Sequence, residues 1–152
     1  MSVLSVRLFT DKVLHKPTEL ITNFNSEELF KLSQDMIETM FALKGIGLAA
    51  PQVGVGKNLA ILWLKEKTEI IVVANITIKG YTKESQDIME EGCLSAPGIS
   101  VKIKRPTWVE FEYQKLNGEK DKMRLENFDA RVFFHEADHI FGRMITDSIY
   151  KL

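Results

Sequence analysis

Residues 133–142, FFHEADHIFG, constrain the fold more than any other part of this sequence. On an α-helix, residues four apart differ by about 40° in direction, so His135 and His139 project from one side and can share one ion. Val132 and Ile140 lie on the same stripe, which is therefore expected to face a core. A buried polar group is costly unless it is satisfied, and a metal ion would satisfy both histidines. The HExxH spacing favours a metal site over the alternative of two core histidines bonded to backbone groups.

The third ligand decides what such a metal can do, because a catalytic metal usually takes three protein ligands and leaves one position for water. No glutamate follows His139, and Ile145 stands where the extended motif HExxHxxGxxH needs a histidine. The corresponding two classes of metallopeptidase are therefore excluded. The third ligand must come from upstream, where His15, Cys93 and scattered carboxylates remain candidates.

Composition limits the class of protein. The chain has 152 residues, of which 45% are apolar and 27% are charged, and it suits one domain spanning residues 1–152. A net charge of −1 predicts neither nucleic acid nor an anionic membrane as a partner. Because no apolar run is long enough for a bilayer and charges interrupt the N-terminal segment, we expect a cytoplasmic protein. Cys93 is the single cysteine, so its thiol cannot form an internal disulfide.

Apolar periodicity predicts two helices. Apolar residues at steps of three and four predict an N-terminal amphipathic helix over residues 25–43. The second helix is expected over residues 128–141 and carries the HExxH motif. The predicted N-cap of the first helix is Asn25, with Glu28 completing a capping-box-like pair. Asn127 or Asp129 is expected near the start of the second helix, and Gly142 at its C-terminal cap.

Most of the remaining segments are predicted to be strands. The predicted strands cover residues 58–64, 70–78, 99–104, 107–116 and 120–125, with a hairpin turn at Asn117-Gly118. Glycine-rich residues 45–56 predict an irregular loop, and Cys93 is expected in a shaped loop or bulge. We therefore predict an α+β fold in which mostly antiparallel sheet packs around a central metal-binding HExxH helix.

Three stretches closely resemble the signature motifs of the peptide deformylase family. GIGLAAPQ at residues 45–52 is similar to GxGLAAxQ, EGCLS at residues 91–95 has the same letters as the second motif, and HEADH at residues 135–139 is similar to HExDH. The order and spacing also agree, and the resemblance runs from near Arg7 to Ile145. It implies a metal-dependent hydrolase that removes the N-terminal formyl group from formyl-methionyl nascent peptides and releases formate.

The resemblance also implies a role for each matching residue. The implied metal ligands are Cys93, His135 and His139. Glu136 would be the general base and acid, while Gln52 and the backbone N–H of Leu94 would stabilise the oxyanion. The residues expected to contact substrate are Ile46, Gly47 and Val132. One divalent metal ion is implied, Fe(II) in the cell, for which Zn(II), Ni(II) or Co(II) can substitute.

Several neighbouring charges carry further expectations. Glu91 and Arg105 are expected to pair, and Asp138 to orient a ligand or cap nearby backbone. Arg131 stands where the family tends to have an apolar contact near the methionine pocket. Either this side chain points away from the pocket or the side-chain preference differs.

The C-terminal segment departs from many bacterial members. Only thirteen residues follow His139, where those members continue into a longer helix that docks on the ribosome. We therefore expect a monomer with weak or no ribosome docking, and a bacteriophage source would fit such a short form.

Two other functions fit part of the pattern. A binding domain could hold a closed structural zinc site, with His15 as fourth ligand beside Cys93, His135 and His139. An endopeptidase would instead cleave internal bonds of unformylated chains. The closed site leaves Gln52 without a purpose, which favours the hydrolase.

Overall fold

Seven β-strands and two α-helices form within residues 2–147, the part of the chain that the computed structural model describes. The helices are α1 (Glu27–Ala42) and α2 (Asn127–Ile140). The strands are β1 (Gly47–Ala49), β2 (Leu59–Leu64), β3 (Glu69–Tyr81), β4 (Gln86–Cys93), β5 (Ala96–Pro106), β6 (Trp108–Gln114) and β7 (Lys120–Glu126). Short 3-10 helices cover Lys12–His15 and Ala50–Val53.

The strands form two antiparallel sheets. Five strands pair in the order β1-β2-β3-β6-β7, and β4 pairs with β5 in a separate hairpin. The predicted turn at Asn117-Gly118 joins β6 to β7, and Gly118 has the positive φ of 86° that such a turn requires. The α+β class with mostly antiparallel sheet is confirmed.

The two helices pack on opposite faces of the five-stranded sheet. Successive strand residues point to opposite faces, and along β2 Leu59 and Ile61 join the cluster with α1, while Leu62 and Leu64 join the cluster with α2. On the α2 side, Phe133 stacks on a β6 ring, Phe111, with 4.1 Å between ring centroids. This packing holds α2 rigidly against the sheet and directs its remaining face toward the β4–β5 hairpin.

The helix bounds agree with the prediction to within two residues, but the caps differ. Ser26, not Asn25, begins α1, because its Oγ accepts a hydrogen bond from the N–H of Leu29. The predicted pairing of Asn25 with Glu28 is therefore wrong. At α2, Asn127 is the first helical residue, as expected, and the residue before it is Glu126. Asp129 accepts hydrogen bonds from a turn, at Lys65 N and Glu66 N.

Other boundaries also differ from the prediction. Gly142 ends α2 as expected, with a φ of 76°. Residues 45–56 are not wholly irregular, because Gly47–Ala49 pair with β2 and Ala50–Val53 form a 3-10 helix. Strand β4 was not predicted, since its residues are mostly exposed and lack apolar alternation. The bulge expected at Cys93 is confirmed by a register shift between Gly92 and Cys93.

Within residues 2–147 the structure contains no helix that is long and apolar enough to span a bilayer. The expected lack of a C-terminal helix concerns residues 148–152 as well, and these lie outside the described residues.

Candidate active site

Two separate elements bring three potential metal ligands together. Cys93 ends β4, while His135 and His139 lie one turn apart on α2. Their ligand atoms all lie within 4.8 Å of one another, and Cys93 Sγ is 3.4 Å from His139 Nε2. One thiol and two imidazoles suit a divalent transition metal, since thiolate and imidazole select such ions over Mg²⁺ or Ca²⁺. These residues therefore fit the metal that the sequence predicted.

The first alternative, a closed four-ligand site, finds no support in this geometry. His15 is exposed, and its Nε2 contacts the carbonyl oxygen of Phe9. The group of Cys93, His135 and His139 contains no fourth histidine, cysteine or carboxylate from residues 2–147. An open coordination position is typical of catalytic metal sites, whereas structural zinc sites usually have four protein ligands.

The two histidines sit in different electrostatic environments. Burial lowers the pKa of His139 well below 6.5, and the positive charges of His135 and Arg105 lower it further. Burial also disfavours charge on His135, but contacts with Cys93 and Glu91 outweigh it and raise the pKa of His135 to about 10. His139 is therefore ready to coordinate, whereas a metal ion must displace a proton from His135.

Glu91 holds His135 in place through a network of buried charges. Glu91 Oε1 lies 2.9 Å from His135 Nδ1, and Arg105 donates two hydrogen bonds to the same carboxylate, each of 2.9 Å. Burial alone would raise the pKa of Glu91, but the hydrogen bonds from His135 and Arg105 lower it to about 2. The predicted pairing of Glu91 with Arg105 is confirmed.

Asp138 contacts arginine side chains rather than a histidine ligand or nearby backbone. Its Oδ2 accepts a hydrogen bond of 2.7 Å from Arg105 Nη1, and its Oδ1 lies 3.7 Å from Arg143 Nε. Its carboxylate thus contacts the side chain that fixes Glu91 and does not orient a histidine ligand. His139 Nδ1 is buried with no hydrogen-bond partner among the described residues. The prediction that Asp138 orients a ligand is wrong.

Arg131 lies at the cavity wall, and its guanidinium is turned toward the β4–β5 hairpin. Its Nη1 donates to Glu91 Oε2 at 2.6 Å and to the carbonyl oxygen of Ile103 at 3.0 Å. Its Nη2 donates to the carbonyl oxygen of Asp87 at 2.8 Å. Of the two possibilities left open by the sequence, the structure therefore supports the first for the charged end of this side chain.

Glu136 is a buried carboxylate beside the three ligands. It is 5% exposed, and its Oε2 has no hydrogen-bond partner within the described part of the chain. Burial, together with the negative charge of Glu91, raises the pKa of Glu136 to about 7 against the opposing effect of His135. Gly47 makes room for this side chain, because a Cβ there would lie 2.6 Å from Glu136 Oε1. A carboxyl group with this pKa can both accept and donate a proton near neutral pH.

The amide of Gln52 is fixed with its donor group toward Cys93. Gln52 Oε1 accepts a hydrogen bond of 2.9 Å from the N–H of Ala49. Its Nε2 then lies 3.3 Å from Ser95 Oγ and 3.7 Å from Cys93 Sγ. Leu94 lies beside Cys93 in the short turn between β4 and β5. An N–H donor beside the metal ligands is what an oxyanion site requires.

A cavity of about 490 Å³ joins these groups. Ile46, Gly47 and Val132, the residues expected to contact substrate, all line it. The cavity is also lined by residues for which the sequence predicted no role, namely Met89, Ile99 and Phe128. They come from β4, β5 and the start of α2, and nothing in their local pattern marks them as site residues. Ser95 could have been found, because it ends the EGCLS motif.

Comparison with known proteins agrees with this geometry. A family model described as polypeptide deformylase matches residues 3–152. The peptide deformylase of Desulfotalea psychrophila is 40% identical over 156 residues, which cover 100% of this chain and 90% of that protein.

Solved structures give the same result. Peptide deformylase from Thermotoga maritima, which has a crystal structure, is 39% identical in sequence to this chain. The match covers 97% of each chain and has a TM-score of 0.91. The class I type b peptide deformylase of Acinetobacter baumannii, solved with Met-Ala-Ser bound, is 29% identical with a TM-score of 0.91, and the match covers 97% of this chain and 99% of that chain. Because sequence and fold both match over nearly the whole length, the chain belongs to the peptide deformylase family.

Proposed function

We propose that this deformylase hydrolyses the formyl amide with one divalent metal ion, held by Cys93 at the end of β4 and by His135 and His139 on a central metal-binding helix, α2. The family reaction is removal of the N-formyl group from nascent peptides, and the chain is a hydrolase of that family. The observation that carries the proposal is the convergence of one thiol and two imidazoles within 4.8 Å. When bound, the ion would act as a Lewis acid that makes a water nucleophile available near neutral pH.

The donor set limits the class of ion, and the family resemblance implies which member of that class is used in the cell. A cysteine ligand makes the site softer than one built from three imidazoles, and such a site accepts several first-row metals. We propose Fe(II) in the cell, with Zn(II), Ni(II) or Co(II) able to replace it. The proton on His135 must leave when the ion binds, so metal affinity should rise with pH.

Glu136 is proposed as the general base and acid. Its position one residue after His135 and its contact with Gly47 hold the carboxylate at the cavity wall. A pKa of about 7 allows it to take a proton from the attacking water and then deliver that proton to the leaving amine. The same carboxyl group would thus serve both halves of the reaction.

Gln52 and Leu94 are proposed to stabilise the negative charge that develops on the formyl oxygen. The hydrogen bond from Ala49 fixes the Gln52 carbonyl, so the amide nitrogen is held beside Cys93 at the cavity wall, where one N–H would meet the formyl oxygen. The backbone N–H of Leu94 would supply the second donor. One such donor typically contributes about 10²–10³ in rate.

The apolar wall of the cavity is proposed to bind the methionine side chain. Ile46 and Val132 contribute to it, and Gly47 allows the substrate backbone a close approach. Small residues next to the reacting carbon would allow a close approach of the backbone, which would leave no space for the additional methyl of an acetyl group.

The protein's organisation is proposed as one catalytic domain over residues 1–152, acting as a monomer in the cytoplasm on formyl-methionyl nascent peptides. The near-neutral net charge and the absence of an apolar helix of membrane-spanning length in residues 2–147 support action without nucleic acid or membrane. Weak or absent docking to the ribosome stays a prediction, which co-sedimentation with ribosomes tests.

The decisive assay is formate release from formyl-Met-Ala-Ser. Protein is purified anaerobically with Fe(II) or loaded with Ni(II), and Glu136→Ala serves as the matched control. Rapid release by the wild type and its loss in the variant are expected. Fully metallated wild type that releases no formate, or that cleaves internal bonds of unformylated peptides instead, would overturn the proposal.

A further inference from the structure

The metal ligands belong to two elements whose relative position must be maintained. Cys93 lies on the β4–β5 hairpin, whereas His135 and His139 lie on α2. The hairpin forms a two-stranded sheet of its own and is not hydrogen-bonded into the five-stranded sheet. The hairpin is joined to that sheet at its base, where Thr107 alone separates β5 from β6 and donates a backbone hydrogen bond to Ser85. Side-chain contacts with α2 therefore help to position the opposite end of the hairpin, which carries Cys93.

Arg131 makes these contacts from the helix side. The hydrogen bonds of its guanidinium reach a β4 carboxylate at Glu91, a β4 carbonyl at Asp87 and a β5 carbonyl at Ile103, over distances of 2.6 to 3.0 Å. The side chain is 5% exposed, so little water competes for these acceptors. Both strands of the hairpin are thus joined to one residue that precedes His135 by one helical turn.

Arg105 makes a contact in the opposite direction, from the hairpin to α2, and does not replace the contacts of Arg131. Arg105, on β5, donates a hydrogen bond to Asp138, which lies about one turn after His135 on α2. Arg105 also donates two hydrogen bonds to the Glu91 carboxylate. Glu91 thus accepts hydrogen bonds from both arginines, whereas Asp138 contacts Arg105 and Arg143. Loss of Arg131 would remove one of the two arginine partners of the buried Glu91 carboxylate, which is unfavourable.

We propose that Arg131 is a positioning residue of the metal centre, whose planar guanidinium holds the Cys93-bearing hairpin against the histidine-bearing helix and steadies Glu91 behind His135. The inference rests on the proposed function only in taking Cys93, His135 and His139 as the metal ligands. Groups that orient metal ligands from behind typically change metal affinity or activity by about 10–100-fold when removed.

Three variants test this role. Arg131→Met keeps an unbranched stem of similar length but removes every donor, and Arg131→Lys keeps the charge without the planar fork. Arg124→Met is the matched control, because Arg124 is an exposed arginine that pairs with the carboxylates of Glu110 and Glu126 away from the cavity. The measurements are Co(II) and Ni(II) affinity by competition with a chelator, the visible spectrum of the Co(II) protein, kcat and KM, and the melting temperature of metal-free protein.

We expect Arg131→Met to bind Co(II) and Ni(II) about 10–100-fold more weakly and to shift the thiolate-to-cobalt absorption, with kcat falling more than KM rises. Arg131→Lys should recover only part of the affinity, and Arg124→Met should match the wild type. A merely structural role predicts a lower melting temperature with an unchanged cobalt spectrum and affinity in the folded protein.

Each outcome decides the question. Wild-type affinity and spectrum in Arg131→Met would overturn the proposal, as would wild-type affinity in Arg131→Lys, since a charge alone would then suffice. If Arg131→Met does not fold, the lysine variant carries the test. A wild-type protein that binds metal but releases no formate would refute the proposed function and leave this inference to be judged on affinity and spectrum.

Discussion

Replacing Gly47 with alanine is expected to lower deformylase activity sharply while leaving the fold intact. The new Cβ would lie 2.6 Å from Glu136 Oε1 and 3.0 Å from both Cγ and Cδ of the same side chain. Ordinary contact begins at 3.4 Å, so the Glu136 carboxylate must move by about 0.8 Å. Gly47 has no positive φ, so the backbone itself accepts alanine.

The size of the effect follows from this displacement. The clashing atoms all belong to the Glu136 side chain, so rotation of that side chain relieves the contact at a smaller cost to the free energy of unfolding than a backbone shift would. A misplacement of about 1 Å at a reacting group can reduce the rate by about 10²-fold, which corresponds to about 2.7 kcal/mol in the activation free energy. Activity should thus fall far more than stability.

The assay compares kcat/KM for formyl-Met-Ala-Ser with the melting temperature in the same metal-loaded preparations. Gly56→Ala is the matched control, because a Cβ at this exposed glycine meets no heavy atom within 4 Å. Wild-type kcat/KM in Gly47→Ala would refute the reasoning, since the carboxylate would then tolerate the shift. A large loss of stability together with a normal rate per folded molecule would refute it equally.

Three further outcomes are expected. Gln52→Leu should reduce kcat for formate release by about 10²–10³ through loss of an oxyanion donor, and a change confined to KM would argue against that role. His15→Ala should retain its metal after dialysis, as measured by metal analysis, because a loss would indicate the closed site. In metal-free protein, the lowered pKa of Glu91 stabilises the fold by about 3 kcal/mol above pH 4.5, and this contribution disappears as the pH falls toward about 2. Denaturant unfolding at pH 5 and pH 3 should therefore show a smaller loss for Glu91→Gln than for the wild type, and equal losses would contradict the assignment.

Local pattern was sufficient for the long helices and for much of the sheet. A helix of fourteen or sixteen residues repeats its apolar stripe several times, so both α1 and α2 were located to within two residues. The caps were less predictable, because adjacent Asn25 and Ser26 can both accept a hydrogen bond from the first turn. Only the entry angle of the chain decides which of them does.

Strand β4 shows where local pattern fails. Its residues Gln86–Glu90 are all exposed, so the period of two that marks a half-buried strand is missing. The strand exists because its backbone pairs with β5 along eight register positions. Cross-strand pairing is a long-range property, and no window of the sequence contains it.

The sequence by itself determined the chemistry that is available: a helix presenting His135 and His139 on one side, a single thiol at Cys93, and a glutamate next to the first histidine. Such identities and short spacings are local properties, and three motifs in order were enough to indicate the family. Only the tertiary structure decided that Cys93 Sγ lies 3.4 Å from His139 Nε2, and that the Arg131 guanidinium is hydrogen-bonded to the β4–β5 hairpin. It also decided the pKa of Glu136, because burial and the neighbouring charges that raise it come from elements far apart in the chain.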